Sequence, residues 1–337
     1  MALETIEEIE KAIDEGNIPD AIKALEIILD SLEKEKDEAL SGKANYLMGK
    51  AQSRAGNLSV SVQYFLRSLE SYNIIKDETG ISKALLGLGK VHRWRSDFNM
   101  AEEYLNSFFT RSKNISDLAL IGQGYLELGI VKAESGNNEK AIFNFRCAIN
   151  ALVTTDNDYQ LSRAYQSLGE VFKRDGQYDS ALPSLYSCIK LSKKVGLNRN
   201  FAYASTSIGE CLLKIDDIDN AEVHVTAAVK MFESTGDMIG LSDALRVLGS
   251  IERAKGKLTE AKDHLVKALD LIQEKDIPTN EILIRLELFE VVLSEGEKSV
   301  AKQHLSKAVE LAERIKNPAL IKRVEDLKEK SEYRFSR

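Results

Sequence analysis

Proline and tryptophan are scarce in this chain of 337 residues, which holds 4 prolines and a single tryptophan. With 20 glycines and 43% hydrophobic residues beside them, so few prolines point to a soluble, folded and largely helical chain rather than a disordered one. Low-complexity segments are absent. The three cysteines, Cys147, Cys188 and Cys211, are odd in number and widely separated, which excludes a disulfide framework and a CxxC metal pair. No apolar run reaches membrane-spanning length, and the start, "MALETIEEIEKAIDEG", lacks the basic and apolar regions of a secretory signal, so a cytoplasmic protein without a membrane span is expected. Basic residues are outnumbered: the formal net charge is −7 and the pI near 5.4, which argues against a general nucleic-acid binder and makes any basic site local.

What is present is a repeat. Shifting the sequence by the interval from Gly49 to Gly89 puts Gly49, Gly89, Gly129, Gly169, Gly209 and Gly249 in one column, each preceded by Leu, Ile or Met. Twelve residues on lies a column of small side chains, from Ala21 and Ser61 to Ala261 and Ala301; four further on stands a large apolar one, from Leu25 and Phe65 to Leu265 and Leu305. Between them falls a turn signal such as "EGN" (15–17), "SGN" (135–137) or "DGQ" (175–177), whose glycine ends a helix in the left-handed conformation. Each unit therefore reads as a helix, a tight turn and a second helix packed closely on the first. A length that would ordinarily imply two domains is in such a chain compatible with one growing stack.

The stretch "YLELGIVKAESGNNEKAIFNF" (125–145) matches the pattern L-G-x-x-Y then A-x3-F, and the chain resembles the tetratricopeptide-repeat family over essentially its whole length. The usual period there is 34, so six residues are extra; shared between two helices they lengthen each by nearly one turn of about 3.6 residues. A column of Asp37, Asp77, Asp117, Asn157, Asp237 and Asn317 is placed to cap the lengthened helices. Forty-residue versions look like the Partner-of-Inscuteable and rapsyn subclass. That subclass puts Asn directly after the Leu-Gly pair to hold a peptide backbone, where this chain has Lys50, Lys90, Ile130, Glu170, Glu210, Ser250 and Glu290.

The resemblance implies an all-α, right-handed superhelical solenoid of helix-turn-helix units over residues 1–337. Eight units are counted, starting near Ala2, Gly42, Ser82, Gly122, Ser162, Ala202, Ser242 and Ile282. Residues 2–41 form an atypical first unit, 42–281 six regular ones, 282–321 an atypical last one and 322–337 a closing helix. Ile9 and Phe289 stand where the glycine should be, and "NPALIKRVEDLKEKSEYRFSR" offers an Asn cap and Pro at the first helical position of a charged capping segment.

Within each first helix, positions 3, 4, 7, 8 and 10 carry the small and apolar side chains, so positions 2, 9 and 13 point away from the packed face. In the family that opposite stripe lines the concave wall where peptides lie. It reads Leu3, Glu10 and Asp14 in the first unit, Lys43, Lys50 and Arg54 in the second, and Lys83, Lys90 and Trp94 in the third; Gln123, Ile130 and Glu134 follow, then Arg163, Glu170 and Arg174. Units two and three alone are basic with no acid of their own. Lys43, Lys50, Arg54, Lys83, Lys90, Arg93 and Trp94 are thus the candidate peptide-binding residues, with neighbouring helices about 8 to 10 Å apart and a Debye length of about 8 Å making the cations one patch. The exposed indole adds apolar contact and a face for a guanidinium. The competing reading is a solvated wall, part of whose charge Glu10 and Asp14 neutralise.

Other tempting residues lead elsewhere. His224, His264 and His304 recur once per period, but helices of stacked units lie about 8 to 10 Å apart, too far for one zinc ion, and Tyr64 and Tyr104 share the column. Cys188 and Cys211 fall in small and apolar columns, Cys147 in a more exposed one without a histidine partner, and His92 in a mixed one, so none is assigned a catalytic role. "GLGKVH" and "SGKANYLMGK" neither follow a strand nor complete a phosphate loop. With no convergent acid, base, nucleophile or metal constellation, an enzyme is the poorest reading and no cofactor is expected. The chain is expected to be a non-catalytic scaffold for an acidic or phosphorylated peptide segment. Two alternatives stay open: an RNA or single-strand binder using the same patch, and a sensor module acting on a separate effector.

Overall fold

A computed structural model describes residues 5–273 and 275–335. The expected start at Ala2, the stripe residue Leu3 and the last two residues of the closing segment lie outside them. Among the described residues every regular element is helical. In chain order these are α1 (Ile6–Glu15), α2 (Ile18–Glu35), α3 (Glu38–Arg54), α4 (Leu58–Ile75), α5 (Glu78–Trp94), α6 (Phe98–Arg111), α7 (Leu118–Glu134), α8 (Asn138–Leu152) and α9 (Asp158–Arg174). They continue with α10 (Tyr178–Val195), α11 (Asn198–Lys214), α12 (Ile218–Thr235), α13 (Met238–Ala254), α14 (Leu258–Asp270), α15 (Pro278–Ser294), α16 (Lys298–Ile315) and α17 (Pro318–Phe335), with a short 3-10 turn over Ser112–Asn114.

The sequence period is the period of the helices. From α3 to α17 each first helix begins one full period after the one before it, without slippage, and so does each second helix from α2 to α16. Most first helices are started by a side chain, whereas α11 and α15 follow Leu197 and Ile277 and have no side-chain cap. Asp37 accepts from the Leu40 N–H at 3.0 Å, Asp117 from Leu120 at 2.9 Å, Asp237 from Gly240 at 3.0 Å and Asn317 from Leu320 at 3.2 Å, each satisfying an amide that the first turn leaves without a helical partner. The helices begin where this cap column places them, four residues before the unit starts at 42, 82 and 122, and the closing helix begins at Pro318, the proline of its Asn-Pro start.

The glycine column is a packing device. A β-carbon added to Gly209 would lie 2.1 Å from Val225 Cγ2 and 3.2 Å from the Ala221 carbonyl oxygen, so α11 and α12 touch through the space that glycine leaves. In the second pair the small-residue column holds Ser61, whose hydroxyl donates to the Gly49 carbonyl at 2.7 Å and so pins α4 to α3. Phe65, Leu105, Phe145, Leu185, Val225 and Leu265, the large column, are all buried. At the two atypical ends Ile9 and Phe289 take the glycine slot and are buried in the cores of the first and eighth pairs.

The tight turn needs a left-handed residue, which glycine supplies at Gly16, Gly56, Gly136, Gly176, Gly256 and Gly296; the third and sixth pairs use Ser96 (φ 60°) and Asp216 (φ 66°) instead. A left-handed conformation costs an L-residue roughly 1–2 kcal/mol. Ser96→Gly is therefore expected to stabilise the chain by about 1 kcal/mol, seen as a higher urea midpoint with an unchanged slope. A second left-handed slot closes the second helix, where Lys36, Lys76 and Lys316 stand in register with Gly196 and Gly236.

The helices fall into two compact units, Met1–Ser167 and Leu168–Arg337. The core of the first is built from clusters around Ile9, Leu25 and Met48, around Phe65 and Val91, and around Leu105 and Phe108. That of the second gathers around Phe232, Leu245 and Leu265, and around Phe289, Leu305 and Val324. No described helix is long and apolar enough to cross a membrane.

Candidate functional site

In the first unit the stripe-bearing faces of α3 and α5, with parts of α7 and α9, enclose a cavity of about 820 Å³. Five of the seven candidate residues line it: Lys50, Arg54, Lys90, Arg93 and Trp94. Lys43 and Lys83 do not. Lys43 is half-buried and reaches Glu7 at 3.4 Å, while Lys83 is exposed. Tyr46 and Phe65 supply apolar lining. Trp94 ends α5 with 46% of its surface exposed, and the Arg93 guanidinium carbon lies 5.8 Å from its ring centroid.

The cluster is not free of acids. Asp14 accepts from Arg54 at 3.1 Å and from Lys50 at 3.4 Å, while Arg54 also donates to the Ile13 carbonyl, so the partial neutralisation by Asp14 is real. Glu10 makes no such pair with these cations. The larger correction is Glu127 on α7, a carboxylate with 2% of its surface exposed. Arg93 Nε donates to it at 3.2 Å and Arg163 lies 3.5 Å from its other oxygen. Burial would push the Glu127 carboxyl up, but Lys90, Arg163 and Arg93 outweigh it and hold it below the usual carboxylate range. Arg93 Nη1 also reaches Glu134 at 3.4 Å, and Arg163 Nη1 donates to Gln160 at 2.9 Å.

Lys90 differs from the other four lining cations. It donates no hydrogen bond to any described residue and forms no ion pair with one, although Glu127 is near enough to act on it through space. Burial, together with Arg163, Arg93 and Lys50, pushes its ammonium below the usual lysine range. The lining holds five cations against the two carboxylates Asp14 and Glu127, an excess of positive charge in a chain that is acidic as a whole. Asn157, Tyr159, Gln160 and Arg163, from the cap and first turns of α9, complete the wall. Arg163 and Gln123 were visible as stripe residues; Asn157, Tyr159 and Gln160 were not, because they precede the unit start read from the sequence.

The second unit carries its own charged cluster, closed on itself. Lys173 lies 3.0 Å from Glu170 and 2.7 Å from Glu210, and Arg246 pairs with Glu210 and, at 2.8 Å, with Asp243. Arg253 and Arg323 share Glu287 at 3.4 and 3.7 Å. These groups answer one another.

The remaining candidates have structural surroundings. His92 is buried with Nδ1 3.2 Å from Asp97, His264 Nδ1 lies 2.8 Å from Glu252, and the His224 ring packs edge-on against Tyr186. Burial pushes the Cys211 thiol up to about 12 and raises that of Cys147 as well, the reverse of an activated nucleophile. Among the described residues no three histidine, cysteine or carboxylate side chains are grouped so as to hold a metal.

Comparison with known proteins agrees with the helical pairs. The family model described as tetratricopeptide repeat matches residues 162–195, starting at the first residue of the fifth unit. Over 208 residues the chain is 26% identical to tetratricopeptide repeat protein 29 of Macaca fascicularis, covering 58% of this chain and 42% of that protein. Over 235 residues it is 25% identical to outer dynein arm-docking complex subunit 4 of Homo sapiens, covering 63% and 32%. The chain therefore spans less than half the length of these curated relatives. Among solved structures the apo form of RapI superposes with a TM-score of 0.67 at 12% identity, covering 98% of this chain and 97% of that one. A signal transduction ATPase with a tetratricopeptide repeat sensor from Pyrococcus horikoshii gives 0.70 at 15% identity, covering 90% and 46%. At such identities the likeness is one of fold, a helical-repeat solenoid.

Proposed function

We propose that this chain, one of the tetratricopeptide-repeat proteins, is a non-catalytic interaction scaffold that holds an acidic or phosphorylated peptide segment in the cavity of its first unit. The observation that carries the reading is the convergence of Lys50, Arg54, Lys90, Arg93 and Arg163 on one cavity in a chain of net charge −7. Local positive potential of this kind attracts anionic partners and sets their orientation. Trp94 supplies the rigid apolar anchor that interfaces favour. The long and constant spacing of helix starts supports grouping the units with the Partner-of-Inscuteable and rapsyn type. Partner binding by the fold has a parallel in a Rap protein solved in complex with Competence and Sporulation Factor, which superposes with a TM-score of 0.62 at 14% identity.

Titration of acidic peptides against the wild type and the double variant Lys50→Glu/Lys90→Glu tests the reading. Reversing two of five lining cations is expected to weaken binding at least tenfold and to flatten its dependence on salt. Equal affinities for the two proteins, with no salt dependence in either, would remove it.

A further inference from the structure

Of the charged groups in the first unit, most are already answered. Lys43 is engaged by Glu7, Lys50 and Arg54 share Asp14, and Arg93 is held by Glu127 and Glu134. An extended acidic strand lying across these units would find its cations occupied one after another. Among the cations that line the cavity the exception is Lys90, whose ammonium offers three donors and gives none of them to a described residue.

We infer that the cavity takes a single phosphoryl group borne on a peptide side chain, with Lys90 as its anchor, Arg93 and Arg163 as flanking donors, and Trp94 and Tyr159 as apolar contacts for the residues around it. The inference rests on the reading that a peptide occupies this cavity, and narrows the ligand within it. Three arguments favour a phosphoryl group over a carboxylate. The first is charge: Lys90, Arg93 and Arg163 surround one buried carboxylate, Glu127, and still leave positive charge over. A phosphoserine brings about 1.5 to 2 negative charges and three acceptor oxygens, where another carboxylate would bring one charge. The second is geometry. Glu127 fixes one edge of both guanidinium groups, so they are positioned before any ligand arrives, and guanidinium forks are suited to phosphate oxygens. Glu127 is on this account a positioning residue, not a contact.

The third is the cost of the vacant arrangement. Burial and neighbouring cations both disfavour a charged Lys90, so a dianion relieves the two penalties together. Size fits: about 820 Å³ lies within the roughly 300–1,000 Å³ of pockets that enclose a small group together with its neighbours. A run of nucleic-acid phosphates is the poorer match, because the lining includes the carboxylate of Asp14 as well as that of Glu127.

The test uses three alanine-flanked heptapeptides that differ only at the centre, carrying phosphoserine, glutamate or serine, titrated calorimetrically and by the emission of Trp94. The phosphoserine peptide is expected to bind at least tenfold more tightly than the glutamate one. Lys90→Met should abolish that preference, Lys90→Arg should keep part of it, and Lys83→Met, exposed and outside the cavity, should leave it whole. Thermal unfolding of Lys90→Met is expected to be no lower than wild type, because burial and the neighbouring cations outweigh the attraction of Glu127 for the lysine. Equal binding of the phosphoserine and glutamate peptides, or a preference that survives Lys90→Met, overturns this inference while peptide binding stands. Failure of all three peptides to bind brings down both.

Discussion

Glu127→Ala is expected to destabilise the first unit by about 3–5 kcal/mol, the usual result of removing one member of a buried charged group and leaving the rest. The carboxylate is almost wholly buried, and its two oxygens answer Arg93 at 3.2 Å and Arg163 at 3.5 Å. Without it, three cations including Lys90 face one another across a partly desolvated space with Glu134 and Gln160 as their remaining partners. Glu127→Gln keeps an acceptor for Arg93 but loses the charge, so an intermediate loss is expected. Adding Lys90→Met to Glu127→Ala should recover part of the stability, because it removes one of the stranded charges; the non-additivity is a direct measure of their coupling. Urea unfolding followed by Trp94 emission reports on this unit alone. A loss below about 1 kcal/mol would mean that water reaches Glu127 and screens the cluster as it does a surface pair.

The helices of this protein were legible because each slot recurs. Glycine at one point in every unit and a small residue twelve positions later can be seen by eye, and the Asp caps at 37, 77, 117 and 237 mark starts that the structure shares to the residue. What repetition could not reveal is what happens once. Glu127 stands in a column with the buried Leu47, Gly87 and Val247 but also with Glu7 and Glu287, so the column alone does not mark it as a buried charge. It was missed because the stripe was read one helix at a time, whereas ion pairs here join residues 34 to 41 positions apart on adjacent helices. Units two and three hold no acid in their own stripes because their counterions come from α1 and α7. The left-handed slot after the second helix escaped for the opposite reason. Lysine fills it at residues 36, 76 and 316 and glycine at 196 and 236, so no unbroken glycine column marks it.

The closed cluster of the second unit leads to the other large effect, one that depends on pH. Glu210 lies 2.7 Å from Lys173 and pairs with Arg246; burial alone would raise its carboxyl, but the two cations outweigh burial and hold it well below the usual carboxylate range. In the unfolded chain the same group titrates near its ordinary value of about 4.3. Above that value both states are ionised and the full contribution is present; as pH falls below it the unfolded chain takes up a proton that the folded one refuses, and the contribution is lost. Glu210→Gln is therefore expected to cost about 3–5 kcal/mol at neutral pH and less and less as acid is added, so that the wild-type and variant curves converge below about pH 4. Other carboxylates give both proteins an acid slope, which makes the difference between the curves the quantity to read. Hydrogen exchange of α11 and α13 amides measures it in the unit concerned. Curves that run parallel from pH 7 to pH 3 would show that Lys173 and Arg246 do not hold Glu210 ionised through this range.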